Sequence, residues 1–216
     1  MIELEIRPKL ELIADSAIHC RTCFNQGGLE SSYVDITQPR YIGAGYWQSK
    51  IRIAFLMLNP GAGNDGDCDR EWRQELYAYQ SGNSSLESVF ATQRKHMPHW
   101  GRGKLIPFVE LHGLDVDKVA LINVAWCASK DNKYPKWMLS KCMKRHTLRW
   151  IATIDPAIII LSGTSTHSHR SALEMVVPAA KFHQTFHYAH RPRDAERAEA
   201  RASKIRQLLS ESGSIN

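Results

Sequence analysis

Four cysteines in two local pairs constrain this chain more than any other feature. Cys20 and Cys23 read C-x2-C; about a hundred residues later, Cys127 and Cys142 read C-x14-C. Four soft sulfur ligands arriving this way suit tetrahedral zinc or an iron–sulfur cluster, whereas disulfides need an oxidising compartment. The first seventeen residues, MIELEIRPKLELIADSA, carry charge throughout and lack the apolar core of a signal peptide. Apolar runs such as 157–161 are far too short to span a bilayer. These features predict a cytoplasmic protein with reduced thiols and no membrane partner. Cys68, in a polar Gly/Asp-rich stretch, reads as a free thiol.

Four strand-like runs organise the rest: 51–58 (IRIAFLML), 119–124 (VALINV), 157–161 (AIIIL) and 181–186 (KFHQTF). The first three are nearly continuously apolar, as strands of a parallel sheet covered on both faces must be. Helical patterns fall at about 9–19, 71–80, 104–112, 135–153, 167–176 and 194–209. The alternation predicts an α/β protein, a three-layer α/β/α sandwich around a central four-stranded parallel sheet. At 216 residues and 43% hydrophobic, the chain is expected to form one domain, residues 1–216, with an enlarged polar loop at about 61–99. A formal charge of +6 and a pI near 9.1 favour a polyanionic partner.

Ligands of parallel sheets gather at the carboxyl ends of strands, which directs attention to three positions. The first strand runs into Asn59-Pro60-Gly61-Ala62-Gly63, where glycine lets backbone N–H groups approach a ligand. The second ends at Asn123, and the fourth delivers His187, with His190, Arg191 and Arg193 close behind.

The segment LINVAWCASKDNKYPKWMLSKCMKRHTLRWIATIDPAIIILSG resembles the family 4, iron–sulfur branch of the uracil-DNA glycosylase superfamily. Asn123, Cys127, Asn132, Pro135, Cys142, Pro156, Ile159 and Gly163 match its motif, and C-x-x-C, N-P-G and WGRGKLIPFVELHGLD fall in family order. The resemblance runs from about residue 20 to 209. It implies a uracil-DNA glycosylase-like fold, a 4Fe–4S cluster on Cys20, Cys23, Cys127 and Cys142 with zinc as the alternative, and a monomer acting on DNA. It also implies a monofunctional glycosylase that flips a pyrimidine and leaves an abasic site. Departures are equally specific. Asn59 stands where family 4 has Glu, and His99 or Trp100 where an aromatic stacks on the flipped base. The usual H-P-S is His187-Tyr188-Ala189.

On this reading Asn59 places the water, since an amide cannot act as a strong base near neutrality. His187, or alternatively His190, stabilises the departing base. Gly61, Ala62, His99, Trp100 and Asn123 line the base site, where Asn123's amide can turn to read uracil or cytosine. Lys130, Lys133, Arg191 and Arg193 touch phosphates. Duller roles compete: Asn59 holding a turn, Asn123 capping a strand end, His187 as a core histidine. Small residues at Ala62-Gly63 admit a 5-substituent, so uracil repair and attack on 5-modified cytosine in phage DNA both remain open. A non-catalytic iron–sulfur DNA-binding module is the reading from another class.

Overall fold

The computed structural model describes residues 2–24, 29–61, 63, 66–188 and 195–211. It is an α/β structure in two compact units, each assembled from three stretches of chain. One comprises Met1–Tyr41, Asn59–His96 and Asn123–Ile154; the other comprises Ile42–Leu58, Met97–Ile122 and Asp155–Asn216.

The second unit carries almost all of the sheet. Strands β1 (Tyr41–Ile42), β2 (Ile53–Met57), β3 (Val119–Asn123), β4 (Ile158–Ser162) and β5 (Lys181–Thr185) lie in the order β1-β3-β2-β4-β5. The four expected strands are present, three of them trimmed by a residue or more and β4 shifted forward by one. The expected four-stranded, wholly parallel sheet is not: there are five strands and the sheet is mixed. β2, β4 and β5 pair in parallel. Beyond β1, Gly43 N–H donates to Val119 O and Gly45 N–H to Asp117 O, so the partner number falls as the chain advances, which is antiparallel pairing. Two residues are too few to show a strand period in sequence. The close approach needs glycine, because a Cβ on Gly43 would lie 2.3 Å from Asp117 O. β2, β3 and β4 are buried at every position, as their unbroken apolar runs require. β5 ends the sheet with Lys181 and Gln184 exposed, a polar edge that discourages further strand pairing.

The first unit is helical. α1 (Ile2–Ile18), α2 (Asp67–Gln80) and α3 (Leu86–His96) pack together, and α1 also meets α6 (Leu148–Ile154). Residues 61–99, expected to be an enlarged loop with a helix at about 71–80, are mostly α2 and α3: the expected helix forms as the longer α2, and α3 was not expected. Trp72, Leu76 and Tyr79 recur at helical spacing, as do Leu86, Val89 and Gln93, but surrounding charges dilute the pattern. The expected helix at 135–153 forms as α5 (Lys136–Cys142), a π turn (Met143–Thr147) and α6. Its buried residues fall in two adjacent rows, each stepping by four: Cys142, His146, Trp150 and Ile154 beside Met143, Thr147 and Ile151. At 100° per residue each such step overshoots a turn by about 40°. The wider i→i+5 turn takes up part of that drift. The other unit adds α4 (Leu105–Leu111), α7 (Thr164–His167), α8 (Arg170–Glu174) and α9 (Ala195–Glu211). No helix among the described residues is long and apolar enough to cross a membrane.

Candidate functional site

All four paired cysteines are buried in the first unit, and none is joined in a disulfide. An extended segment brings the two pairs together. Ser31 bridges Ser129 in antiparallel fashion; Ser32 N–H donates to Ala128 O, and Gln38 N–H to Trp126 O, both at 2.9 Å. Residues 30–38 therefore lie along 126–130. The thiols act on one another electrostatically: Cys127 feels Cys23 and Cys20, and Cys142 feels Cys127, Cys23 and Cys20. Burial first, then its neighbours, pushes Cys127 up to about 12 and Cys142 well above the ordinary thiol range. Cys23 is raised by burial and by Cys20, against the pull of Lys141 and Arg145. Trp126 N–H donates to Cys142 Sγ at 3.1 Å, and Thr37 Oγ1, whose hydroxyl donates to Cys20 O at 3.1 Å, lies 3.2 Å from Cys127 Sγ. Among the described residues, no group of three or more His, Cys, Asp or Glu is placed to hold a metal ion as the structure stands. The four cysteines are buried near enough to act on one another, and four sulfurs are the donor set that an iron–sulfur cluster takes.

Next to the thiols lies Arg40, 4% exposed, which the sequence reading missed. Its Nη1 donates to Asn123 Oδ1 at 2.5 Å, its Nε to Gln38 O at 2.6 Å, and its guanidinium lies 5.9 Å from the Trp126 ring centre. Burial lowers its pKa to about 10, still a cation at neutral pH, while Cys142 and Cys127 oppose the shift. An arginine can only donate, so Asn123 must turn its carbonyl oxygen to Arg40. The Asn123 amide is therefore not free to turn either way, as the sequence allowed. The first turn of chain after β3 is held through Thr147, whose hydroxyl donates to Asn123 O at 2.9 Å and accepts from Trp126 Nε1 at 3.0 Å.

Asn59 follows β2 by two residues and is half-buried. Its Nδ2 donates to Asn132 Oδ1 at 3.2 Å, and it hydrogen-bonds Tyr134, whose phenol burial raises to about 12. Tyr134 Oη in turn accepts from Ser129 N–H at 3.0 Å and donates to Cys127 O at 3.3 Å. Asn59 is thus tied to the loop that carries Cys127, a link no sequence spacing announces. Gly61 has φ +88°, a conformation that suits glycine, and among the described residues nothing stands within 4 Å of where its Cβ would be. A Cβ on Gly63 would meet Val34 and Asp69 at 3.4 Å. Ala62 lies outside the described residues.

In the second unit an aromatic cluster positions His187. Phe108 meets Phe55, His112, Phe186 and Tyr188 with ring centres 4.8–6.1 Å apart. Tyr188 stacks on His187 at 4.5 Å and lies so near Gly101 that a Cβ there would be 2.2 Å from its ring. Gly163 sits under the other side, with His187 Cβ 3.1 Å from its missing Cβ. His112 Nδ1 donates to Phe108 O at 2.7 Å, so its Nε2 accepts from Thr185 Oγ1 at 3.0 Å, and burial lowers its pKa and keeps it neutral. The end of β5, two residues before His187, is anchored in this way. Trp100 is half-buried and His99 exposed, in the 97–103 turn after α3. His190, Arg191 and Arg193 lie outside the described residues. Lys130 and Lys133 are exposed but stand 2.5 Å from Glu30 and 3.5 Å from Asp131, so much of their charge is locally balanced. Neither the models of known protein families nor the curated proteins give a match to this chain.

Proposed function

We propose that this protein is a monofunctional DNA glycosylase whose four cysteines hold a 4Fe–4S cluster. We read its α/β core as a three-layer sandwich of the uracil-DNA glycosylase kind, carrying one strand more than the sequence suggested. The observation that carries the reading is the convergence of Cys20, Cys23, Cys127 and Cys142 in one buried place, with Asn59 bonded to the loop between them. When bound, the cluster would cross-link residues 20–23 to 127–142. With four protein sulfurs as ligands it keeps no open position for chemistry, so its role is structural.

The reaction is hydrolysis of an N-glycosidic bond in a flipped nucleotide. Asn59, its amide nitrogen held by Asn132, keeps its carbonyl oxygen as an acceptor that orients the attacking water. His187, held by Tyr188, donates to the O2 of the departing pyrimidine, an interaction worth about 3 kcal/mol in comparable sites. Asn123, its oxygen occupied by Arg40, offers N–H donors to the base edge. Open space beside Gly61 favours a 5-substituted pyrimidine such as hydroxymethylated or glucosylated cytosine of phage DNA, with uracil as the smaller substrate.

The test is to incubate the protein with uracil-containing, unmodified and phage-modified DNA and to identify the released base by mass. Asn59→Ala and His187→Ala should bind DNA nearly as the parent does yet form abasic sites at least a hundredfold more slowly. Unchanged turnover in Asn59→Ala sinks the mechanism. One observation favours a second reading, a non-catalytic iron–sulfur DNA-binding module: the Asn59 side chain already has two protein partners, Asn132 and Tyr134. No base released from any of the three DNAs would select it. Purified without oxygen, the protein should be brown with about four irons per chain; a colourless protein with stoichiometric zinc would replace the cluster.

A further inference from the structure

From residue 132 to residue 154 the sequence has six lysines and arginines and no aspartate or glutamate. The structure sorts this charge by helix face. α5 turns Met138 and Cys142 inward, and Met138 packs with Cys23 and Cys127. That anchoring fixes what faces out: Lys136, Trp137 and Lys141, and beyond them, in the π turn, Lys144 and Arg145. Trp137 is 37% exposed, and Lys141 Nζ stands 5.4 Å from its ring centre. Arg145 Nη1 donates to Thr22 Oγ1 at 2.9 Å, which ties the end of this face to the C-x2-C pair.

An indole on a surface of one charge sign is poorly explained as a solvated helix face. Lysines by themselves serve any polyanion, but an aromatic ring can stack only on a base whose π face is uncovered. In a duplex that face is hidden between neighbouring base pairs, whereas in a single strand it is accessible. We propose that this face of α5 binds single-stranded DNA, with Trp137 stacking on an unpaired base and Lys136 and Lys144 contacting the phosphates on either side. Those two lysines are separated by about 12 Å along the helix, at 1.5 Å per residue. Choosing DNA as the polymer rests on the function proposed above; the surface itself does not depend on base excision.

The experiment is fluorescence anisotropy of end-labelled, unmodified oligodeoxythymidine, its duplex with oligodeoxyadenosine, and the oligouridine counterpart, measured on the full chain as purified. The parent should bind the single DNA strand more tightly than the duplex or the RNA. Trp137→Ala should weaken single-strand binding about tenfold and duplex binding little, while Trp137→Phe, which can still stack, should stay near the parent. Should Trp137→Ala disturb the fold, Trp137→Leu keeps apolar volume without a stacking face and makes the same discrimination. Lys136→Ala with Lys144→Ala should lower the slope of log affinity against log salt by about 1.4 in total. Equal single-strand affinity of the parent, Trp137→Ala and Trp137→Leu would overturn the proposal, as would tighter binding of duplex or of RNA. Because no base release is read, single-strand binding through Trp137 without any excision defeats the glycosylase reading alone. Excision with a silent Trp137 defeats this surface alone.

Discussion

The two units solve the problem of an interior differently. The unit holding β2, β4 and β5 fills its centre with regular strands whose backbone groups satisfy one another, and adds rings such as Phe55 and Phe108. The unit holding the cysteines buries Thr37, Gln38, Arg40, Gln93, His96, Asn123, Ser129, His146 and Thr147, nine of the thirteen buried polar or charged residues described. Much of its chain near the thiols is irregular, so side chains do what ladder hydrogen bonds do in the sheet. Trp72 Nε1 donates to Gln38 Oε1, Gln93 Nε2 to Pro39 O, and Arg40 to Gln38 and Asn123. Such a network is rigid when complete and costly when one member is lost. The first unit should therefore depend on its buried polar network and on the cross-link of the proposed cluster, and the second mainly on apolar packing.

The largest effect expected is on the cross-link. If the proposed cluster is bound, Cys127→Ala, or its removal by a chelator, should abolish hydrogen-exchange protection through residues 29–40 and 123–147 while the amides of β2 and β4 stay slow. Equal loss in both units would break the contrast. Two substitutions of similar size come next. Arg40→Leu leaves Asn123 Oδ1 and Gln38 O without their donor and should cost about 4 kcal/mol in urea unfolding, about 2 kcal/mol for each unsatisfied acceptor. Phe55→Ala should cost about 4 kcal/mol through the cavity it leaves, but with metal content unchanged. Iron lost from Phe55→Ala and kept in Arg40→Leu would reverse the assignment.

A pH effect of somewhat smaller size belongs to His146. It lies in the π turn, 1% exposed, against Trp126, and neither ring nitrogen has a partner among the described residues. Burial, helped by Arg145 and Arg149, pushes its pKa down to about 4. An unfolded chain takes up this proton from about pH 6.5 downward and the folded one does not, so the unfolded state gains. The stability His146 contributes is complete above pH 6.5 and is lost as the pH falls through 4, roughly 3 kcal/mol in all. Melting curves of the parent against His146→Leu between pH 4 and 7 check this: the difference in stability should vary across that window, and a constant difference would remove His146 from the account. The smallest effect is Tyr134→Phe, which deprives Ser129 N–H of its acceptor and should cost about 1 kcal/mol. The same substitution frees Asn59 from one partner, so a change in base release larger than the change in stability would mark that contact as functional.

The apolar runs made β2, β3 and β4 legible because a strand covered on both faces has no polar position to disguise it. α2 and α3 were partly hidden, since Trp72, Leu76 and Tyr79 are separated by charges that mask a helical stripe in a window rich in Glu, Arg and Gln. β1 was not legible at all: Tyr41–Ile42 is a strand because Gly43 lets the chain approach Asp117, a partner more than seventy residues away. Within the candidate site, the cysteine pairs and the strand-end residues Asn59, Asn123 and His187 stood out by spacing. Arg40, Tyr134 and His112 did not, because an arginine, a tyrosine or a histidine in sequence carries no mark of the partner it will meet.

What the sequence determined by itself is therefore local: which runs are covered on both faces, where the chain turns, and which four sulfurs are paired in two places. Tertiary structure alone decided the rest: that both pairs share one buried site, that Arg40 fixes the sense of the Asn123 amide, that Asn59 is bonded to the loop of Cys127, and that α5 presents Trp137 among lysines. The physical reason is range. Propensity and periodicity act over a few residues along the chain, whereas a buried cation or thiol is defined by the groups around it, and those come from segments tens of residues apart.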